Sequence, residues 1–535
     1  MKNKAVLKVA SLILALGMIL TLGACGNPTG APAATDGTTA RDASAADSAA
    51  KPADDANSPV TFTIFMNHPW YPIDKFEGII PQEITKEIGV TLKPTIAVDD
   101  KQLGLMIASG NLPDLVYTSL LLDRLSSPNL CYSYNELIQK YAPDWAPNPM
   151  QIGNAKTFSS DDNYYTLLNH FSVDSDWDNS NAVQMAPSLA YRQDILEALG
   201  NPAMDTLDDY VKVLGMVKEK YPNMVPLTFD VNWTFQCFKI WAGAYNQDFI
   251  EQDGKVVYTI HDKKYVDYLK FVNNLYRKGY MIADNFAWKS ADAGNYINSD
   301  KSFSHTMCTQ NGCYPTNLTL QQVNPKGHLV ESKPLGEKVY TTSDIGWSGT
   351  FITKGNKNPD RAIKLMQWMY SEEAQRLTQW GREGTDYTLN DKGMPEFSQE
   401  WMDAAKDADT QNAKYNTWFY LGGSEIVEAA GRCASIPADE YAKYYEGPYK
   451  EIRTNFHNLP WFSAALPKEG MDEKVVYDKL KDLVKNDEVK IFLSNSDEEF
   501  NQNYQNMLKK ADQLGIQKLE DYMSQKVPEV KKMYQ

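Results

Sequence analysis

The chain has 535 residues, with 53 Lys and Arg against 69 Asp and Glu, a formal net charge of −16 and 12% aromatic residues. An acidic balance of this size repels nucleic acid and offers no basic patch to an anionic lipid surface, which excludes both as partners of the folded body. The length is too great for one ordinary domain and points to two lobes or more.

Lys2, Lys4 and Lys8 precede an apolar run from Val9 to Leu22. That run is too short for a comfortable membrane span and has the plan of a secretory signal peptide, residues 1–24. It ends in Leu22-Gly23-Ala24-Cys25, which resembles the lipobox of bacterial lipoproteins. The resemblance implies that Cys25 becomes the first mature residue, carries at least two acyl chains and anchors the protein to the extracytoplasmic face of the cell membrane. The 33 residues from Gly26 to Ser58 are almost wholly Ala, Thr, Ser, Asp, Pro and Gly, without an aromatic side chain. They cannot bury enough apolar surface to fold, so residues 25–58 read as a tether with a root-mean-square reach of about 30 Å.

The body opens with Val60-Thr61-Phe62-Thr63-Ile64-Phe65, whose alternation predicts a strand. A turn with two adjacent aromatics, Trp70 and Tyr71, follows; Ile79–Ile88 has helical spacing and Val90–Ile96 reads as a second strand. This is the start of an α/β layer with a parallel sheet. Loops leaving the carboxyl ends of such strands line the ligand crevice, so Trp70 and Tyr71 are candidate ligand contacts. A helix from Leu103 then ends at Gly110, and a turn at Leu112-Pro113-Asp114 leads to a short apolar strand.

The segment Ala108-Ser109-Gly110-Asn111-Leu112-Pro113-Asp114 resembles the ASGxLPD stretch of carbohydrate-type extracellular solute-binding proteins, the receptors of bacterial ABC importers. Further segments fall in that family's order. Tyr191-Arg192-Gln193-Asp194 leads to Leu199-Gly200 and a Thr206 helix start, with Ile195 and Asp209 departing from the family's Trp and Glu. Asn358-Pro359-Asp360-Arg361-Ala362 resembles its NPExA helix, Gly381-Arg382-Glu383-Gly384 through Tyr387 its GxEGxxY loop, and Phe500 to Tyr534 its terminal helices. The chain is similar to the long lipoprotein receptors for oligosaccharides such as aldouronates and other pectin or hemicellulose fragments.

The resemblance implies an α/β, two-lobed periplasmic-binding-protein-like fold with hinge crossovers and a ligand cleft between the lobes. Lobe one is expected at 59–186 plus 345–395, and lobe two at 187–344 plus 396–535. The crossings fall near Met185 to Leu189, near Asp344 to Gly349 and after Tyr387. The implied function is capture of a saccharide by a monomeric receptor that closes on it and delivers it to ABC permease subunits, without a cofactor.

A sugar ring needs flat aromatic platforms edged by polar groups. Besides Trp70 and Tyr71, the candidates among the 12 tryptophans are Trp233, Trp288, Trp347 and Trp418, all in loop-like, polar surroundings, while Trp368 and Trp380 fall on a helical apolar stripe and read as core. Arg382 and Glu383, between Gly381 and Gly384, either face the ligand, Arg382 pairing with a uronate, or form a salt bridge that holds their loop. Asp174-Ser175-Asp176-Trp177-Asp178 suggests a calcium loop but lacks the glycine and glutamate that complete one, so a solvated acidic loop is expected and no metal. Cys131, Cys237, Cys308, Cys313 and Cys433 are odd in number and make no disulfide framework; Cys308 and Cys313 either form a small loop bridge or remain unpaired thiols. Two other function classes share these features. A tethered glycoside hydrolase would need a facing carboxylate pair, and the chain shows no HExxH, GxSxG or Walker spacing. The other is a receptor for a peptide, or one that signals to a membrane sensor.

Overall fold

Phe62, Ile64 and Met66 point to one side of the opening strand, Val60–Met66, and Phe65 to the other, so that the strand is buried on both faces at its carboxyl end. A computed structural model describes residues 59–178, 180–309, 313–337 and 339–534. The segments read from sequence as an export signal and a tether, with Cys25 between them, lie outside the described residues. Val60–Met66 pairs in parallel with Val90–Ile96 and Leu115–Thr118, and Gly349–Ile352 adds an antiparallel edge beside Leu115–Thr118. The predicted helix between the first two strands spans Ile79–Ile88. The next, Gln102–Ser109, stops at Gly110, which takes the left-handed conformation (φ 68°) open to glycine. Asp114 then fastens the turn to the first strand: its Oδ2 accepts from the Thr63 amide (2.8 Å) and hydroxyl (2.6 Å).

A second sheet has the order Val225–Thr228, Ser302–Cys308, Pro187–Arg192, Leu329–Ser332. Its two central strands are antiparallel, and all seven residues of Ser302–Cys308 are buried. The helix Leu207–Lys220, the second after the second sheet's entry strand, starts as the sequence suggests, with Thr206 Oγ1 accepting from the Asp209 amide at 3.1 Å. The terminal helices, Asp497–Leu514 and Ile516–Lys531, pack into this lobe's core through Phe500, Met507, Leu519 and Met523. Among the described residues no helix is long and apolar enough to cross a membrane.

Each sheet organises its own apolar core, one lobe apiece. The chain leaves the first lobe after Asn169, returns at Trp347 and leaves again after Leu421. Sequence order assigned everything after 395 to lobe two, yet the buried side chains of Trp401, Tyr415, Trp418 and Leu421 belong to the first core. The outward passage is therefore at Gly422–Ser424, not directly after Tyr387. A third cluster, including Trp177, Val183, Tyr340, Trp380, Ala429 and Phe456, gathers parts of all three crossings against the second sheet. Trp380 is core, as the stripe predicts; Trp368 is half-buried and donates to Glu87 (2.7 Å). Among the described residues no disulfide joins the cysteines, and Cys313 Sγ lies 3.7 Å from Met307 Sδ.

Gly346 sits in the returning crossing with φ 97°, and a Cβ there would stand 2.6 Å from Leu168 Cβ and 2.8 Å from the Asn169 carbonyl. Gly346→Ala combines a disfavoured backbone with a clash against main chain. It is expected to lower unfolding free energy in denaturant titration by about 2–4 kcal/mol, and a loss below about 1 kcal/mol would show that the crossing can shift to accommodate it.

Candidate ligand-binding site

The loop after Val60–Met66 brings its aromatics to the place where the crossings leave the first lobe. Trp70 stacks on Trp347, centroids 5.8 Å apart at 25°, and Tyr420 meets both edge-on at 5.9 Å. His68 packs 4.8 Å from Trp347, and His170 closes the group at 5.9 Å from Trp347 and 5.8 Å from Tyr420. Trp70 is 54% exposed, while Trp347 and Tyr420 are half-buried. The result is an aromatic platform fixed from behind and open in front.

Hydrogen bonds set the positions of these rings. Asn169 Nδ2 donates to the Tyr117 hydroxyl (3.0 Å) and the Tyr420 carbonyl (2.6 Å), and its Oδ1 accepts from the Ser348 amide (2.9 Å). The Asn169 carbonyl accepts from the Trp347 amide at 3.0 Å. His68 Nε2 lies 3.2 Å from Ser348 Oγ. Burial pushes the His68 imidazole down to about 4, against the weaker upward pull of Asp100, so it is neutral at physiological pH.

Carboxylates crowd the adjoining crossings. Glu425 accepts from Ser172 Oγ (2.5 Å) and from the Met185 amide (2.8 Å), joining the third crossing to the first. Asn458 ties the Asp344 carbonyl (2.8 Å) and amide (2.7 Å) to the Ser172 carbonyl (3.1 Å). Burial and the nearby Asp344 charge push the Glu425 carboxyl up to about 7, and burial raises Asp344 as well. Burial lowers His170, but its 3.0 Å contact with Glu428 and the charges of Glu425 and Asp344 outweigh it and leave it above its ordinary value. A cavity of about 40 Å³ between these groups, lined by Trp177, Asp344, Glu425 and Asn458 among others, admits water but no sugar ring. A surface pocket of about 400 Å³ lies away from the platform, beside Val90, Tyr141, Arg361 and Lys364.

The sequence candidates divide into groups. Trp70 and Trp347 are brought together. Trp233, 36% exposed, belongs to the loop after Val225–Thr228 in the second lobe; the neighbouring Asn232 Nδ2 donates to the Trp288 carbonyl (3.2 Å), and Trp288 stacks on Tyr296 at 4.2 Å. These two form a separate second-lobe group. Tyr71, 4% exposed, supports Trp70 from beneath at 6.0 Å and has almost no surface for a ligand. Trp418 is 0% exposed and donates to Asn416 (2.7 Å), so it is core and not a contact residue. Arg382 makes a bidentate pair with buried Asp386 (2.8 and 3.2 Å), which is the loop-holding alternative, and exposed Glu383 accepts from Tyr387 at 3.4 Å. Asp174–Trp177 is a short 3-10 turn in which Asp174 pairs with His457 and Asp176 with the Val173 amide. Among the described residues no cluster is placed to hold a metal ion. The sequence reading missed Tyr420, His68, His170 and Asn169. Proximity in sequence to Trp418 and Trp70 marked the first two; nothing local marked the others.

Residues 82–388 match the family of bacterial extracellular solute-binding proteins. The fructooligosaccharide ABC transporter substrate-binding protein FusA of Streptococcus pneumoniae is 25% identical over 442 residues, 76% of this chain and 78% of that protein. Lipoprotein LipO of Bacillus subtilis is 27% identical over 229 residues, 38% of this chain and 44% of its own length. Among solved structures, the alginate-binding protein AlgQ2 without calcium ion is 18% identical with a TM-score of 0.65, covering 88% of this chain and 98% of that one.

The Glu425 carboxyl titrates near neutrality in the folded chain and near 4.5 when exposed, so between those values the folded state holds the extra proton and Glu425 weakens the fold as pH rises. Glu425→Gln keeps an acceptor for Met185 without the charge. Its melting temperature relative to the native chain is expected to increase from about pH 5 to about pH 7.5; a difference independent of pH would mean that Glu425 is ionised throughout.

Proposed function

Because the chain belongs to the bacterial extracellular solute-binding proteins, we propose that it is a receptor, held at the membrane by lipid on Cys25, that captures an oligosaccharide and passes it to an ABC permease. The observation that carries the saccharide is the Trp70–Trp347 stack, with Trp70 54% exposed beside Tyr420. Stacked indoles present a flat apolar face to sugar C–H groups, and the exposed edge leaves hydroxyls free to meet polar partners. Trp233 and Trp288 would supply the second lobe's share, so that the ligand bridges both lobes and favours closure. The relation to a fructooligosaccharide-binding protein supports the ligand class, and the relation to a lipoprotein supports the anchor.

The ion pair of Arg382 bears on the charge of the ligand: its guanidinium is occupied by Asp386. Arg382, the sequence candidate for pairing with a uronate, is therefore already engaged, which supports a neutral saccharide.

A thermal-shift and calorimetry panel of neutral oligosaccharides, uronic oligosaccharides and short peptides tests this reading. Neutral saccharides are expected to raise the melting temperature and be recovered intact; a hundredfold excess over Kd stabilises by about 2.7 kcal/mol. Trp70→Ala is expected to weaken binding about tenfold or more at nearly unchanged stability, because most of the ring lies outside the core. Shifts with peptides alone, or release of reducing ends, would overturn the receptor reading. Preference for uronate would overturn only the charge.

A further inference from the structure

We infer that Cys237 and Cys308 are a disulfide-forming pair that staples the ligand-loop helix of the second lobe to its central strand. Cys237 lies on the helix Phe235–Trp241, which directly follows Trp233, and Cys308 ends the strand Ser302–Cys308. The two elements are packed in register: Thr234 Oγ1 lies 2.7 Å from Thr306 Oγ1. One helical turn past Thr234 and two residues past Thr306, on the same sides of helix and strand, the Cys237 and Cys308 thiols come within reach of each other. Cys308 is wholly buried and Cys237 half-buried.

The other thiols are placed elsewhere. Cys313 faces Met307 Sδ, Cys131 lies in the first lobe beneath Tyr132 and Lys354, and Cys433 packs near Val183. An odd set of five therefore resolves into one facing pair and three single thiols. Members of this family work outside the cytoplasm, where disulfides form and persist.

The reaction needs an oxidant of the disulfide class, a low-molecular-weight disulfide or an extracytoplasmic thiol oxidoreductase. The Cys237 thiolate attacks one sulfur of the oxidant's disulfide and expels the other as a thiol. The Cys308 thiolate then attacks Cys237 Sγ in the mixed disulfide and releases the second thiol. Two protein thiols lose two protons and two electrons, and the oxidant's disulfide gains them. Burial of Cys308 means that the bond forms as the exported chain folds, while both sulfurs are accessible, and it is then sealed from reductant.

The test is refolding of the full chain, reduced and unfolded, in a buffer of oxidised and reduced glutathione, followed by alkylation under denaturing conditions and peptide mapping. The expected product is a Cys237–Cys308 linked peptide, two hydrogens lighter than its parts, with the remaining thiols alkylated and a higher melting temperature than the reduced chain. Cys313→Ser should keep the link. Cys237→Ser, at the half-buried member, should abolish both the link and the rise in melting temperature, and Cys308→Ser should do the same. Full alkylation of all the cysteines after refolding, or a Cys308–Cys313 link in place of this one, would overturn the inference.

Discussion

The side chain of Asn169 joins stretches of chain that lie as far apart in sequence as Tyr117 and Tyr420, and the aromatic platform depends on it. A primary amide has two donors and one acceptor oxygen, and here the nitrogen serves Tyr117 and Tyr420 while the oxygen takes the Ser348 amide. The main chain of the same residue exchanges bonds with Trp347 and Ser348 in both directions. A buried amide used in this way is expensive to leave half-satisfied, so the three aromatic segments cannot separate one at a time. The flat face presented by Trp70 and Trp347 is thus a consequence of polar bonding behind it, not of apolar packing alone.

Each crossing has one end in that platform and the other in the cluster packed against the second sheet. The first runs from Asn169 to Trp177 and Val183, the second from Tyr340 to Trp347, and the third from Tyr420 to Ala429. Between the ends lie short polar stretches carrying Ser172, Asp344 and Glu425. Buried carboxylates are costly, and hydrogen bonds across neighbouring crossings offset part of that cost while fixing which crossing lies beside which.

Local signals recovered the first lobe well. Alternation placed Val60–Met66, spacing placed Ile79–Ile88, and Gly110 with Pro113 and Asp114 placed the turn that Thr63 secures. Those features are written within a few residues of where they act. The site was only partly legible because facing is decided by distant chain. Trp418 and Trp347 both stand in polar, loop-like sequence, but Trp418 falls under Tyr71 and Phe76 while Trp347 meets Trp70. Tyr71 and Trp70 are neighbours whose side chains take opposite directions, one into the core and one out. Whether Arg382 faces a ligand or holds its loop stayed open in the sequence, because only the fold of that short loop turns Arg382 and Asp386 toward each other. The return of residues 401–421 to the first core is invisible to any argument from sequence order.

An indole as exposed as Trp70 would ordinarily lose conformational freedom on binding, at a cost of about 0.5–1.5 kcal/mol for an immobilised side chain. Here the ring is already held by Trp347 on its face and by Tyr71 and Tyr420 at its edges, so little remains to be ordered. A ligand meets the same platform whether the lobes are open or closed, and contacts with the platform alone cannot favour closure, since only differential contacts shift that equilibrium. On the proposed reading, affinity is then set mainly by the rigid first-lobe platform, and commitment to the closed state by what the second lobe adds from the loop of Trp233. A staple between Cys237 and Cys308, directly behind that loop, would give the second lobe the rigidity that Asn169 gives the first.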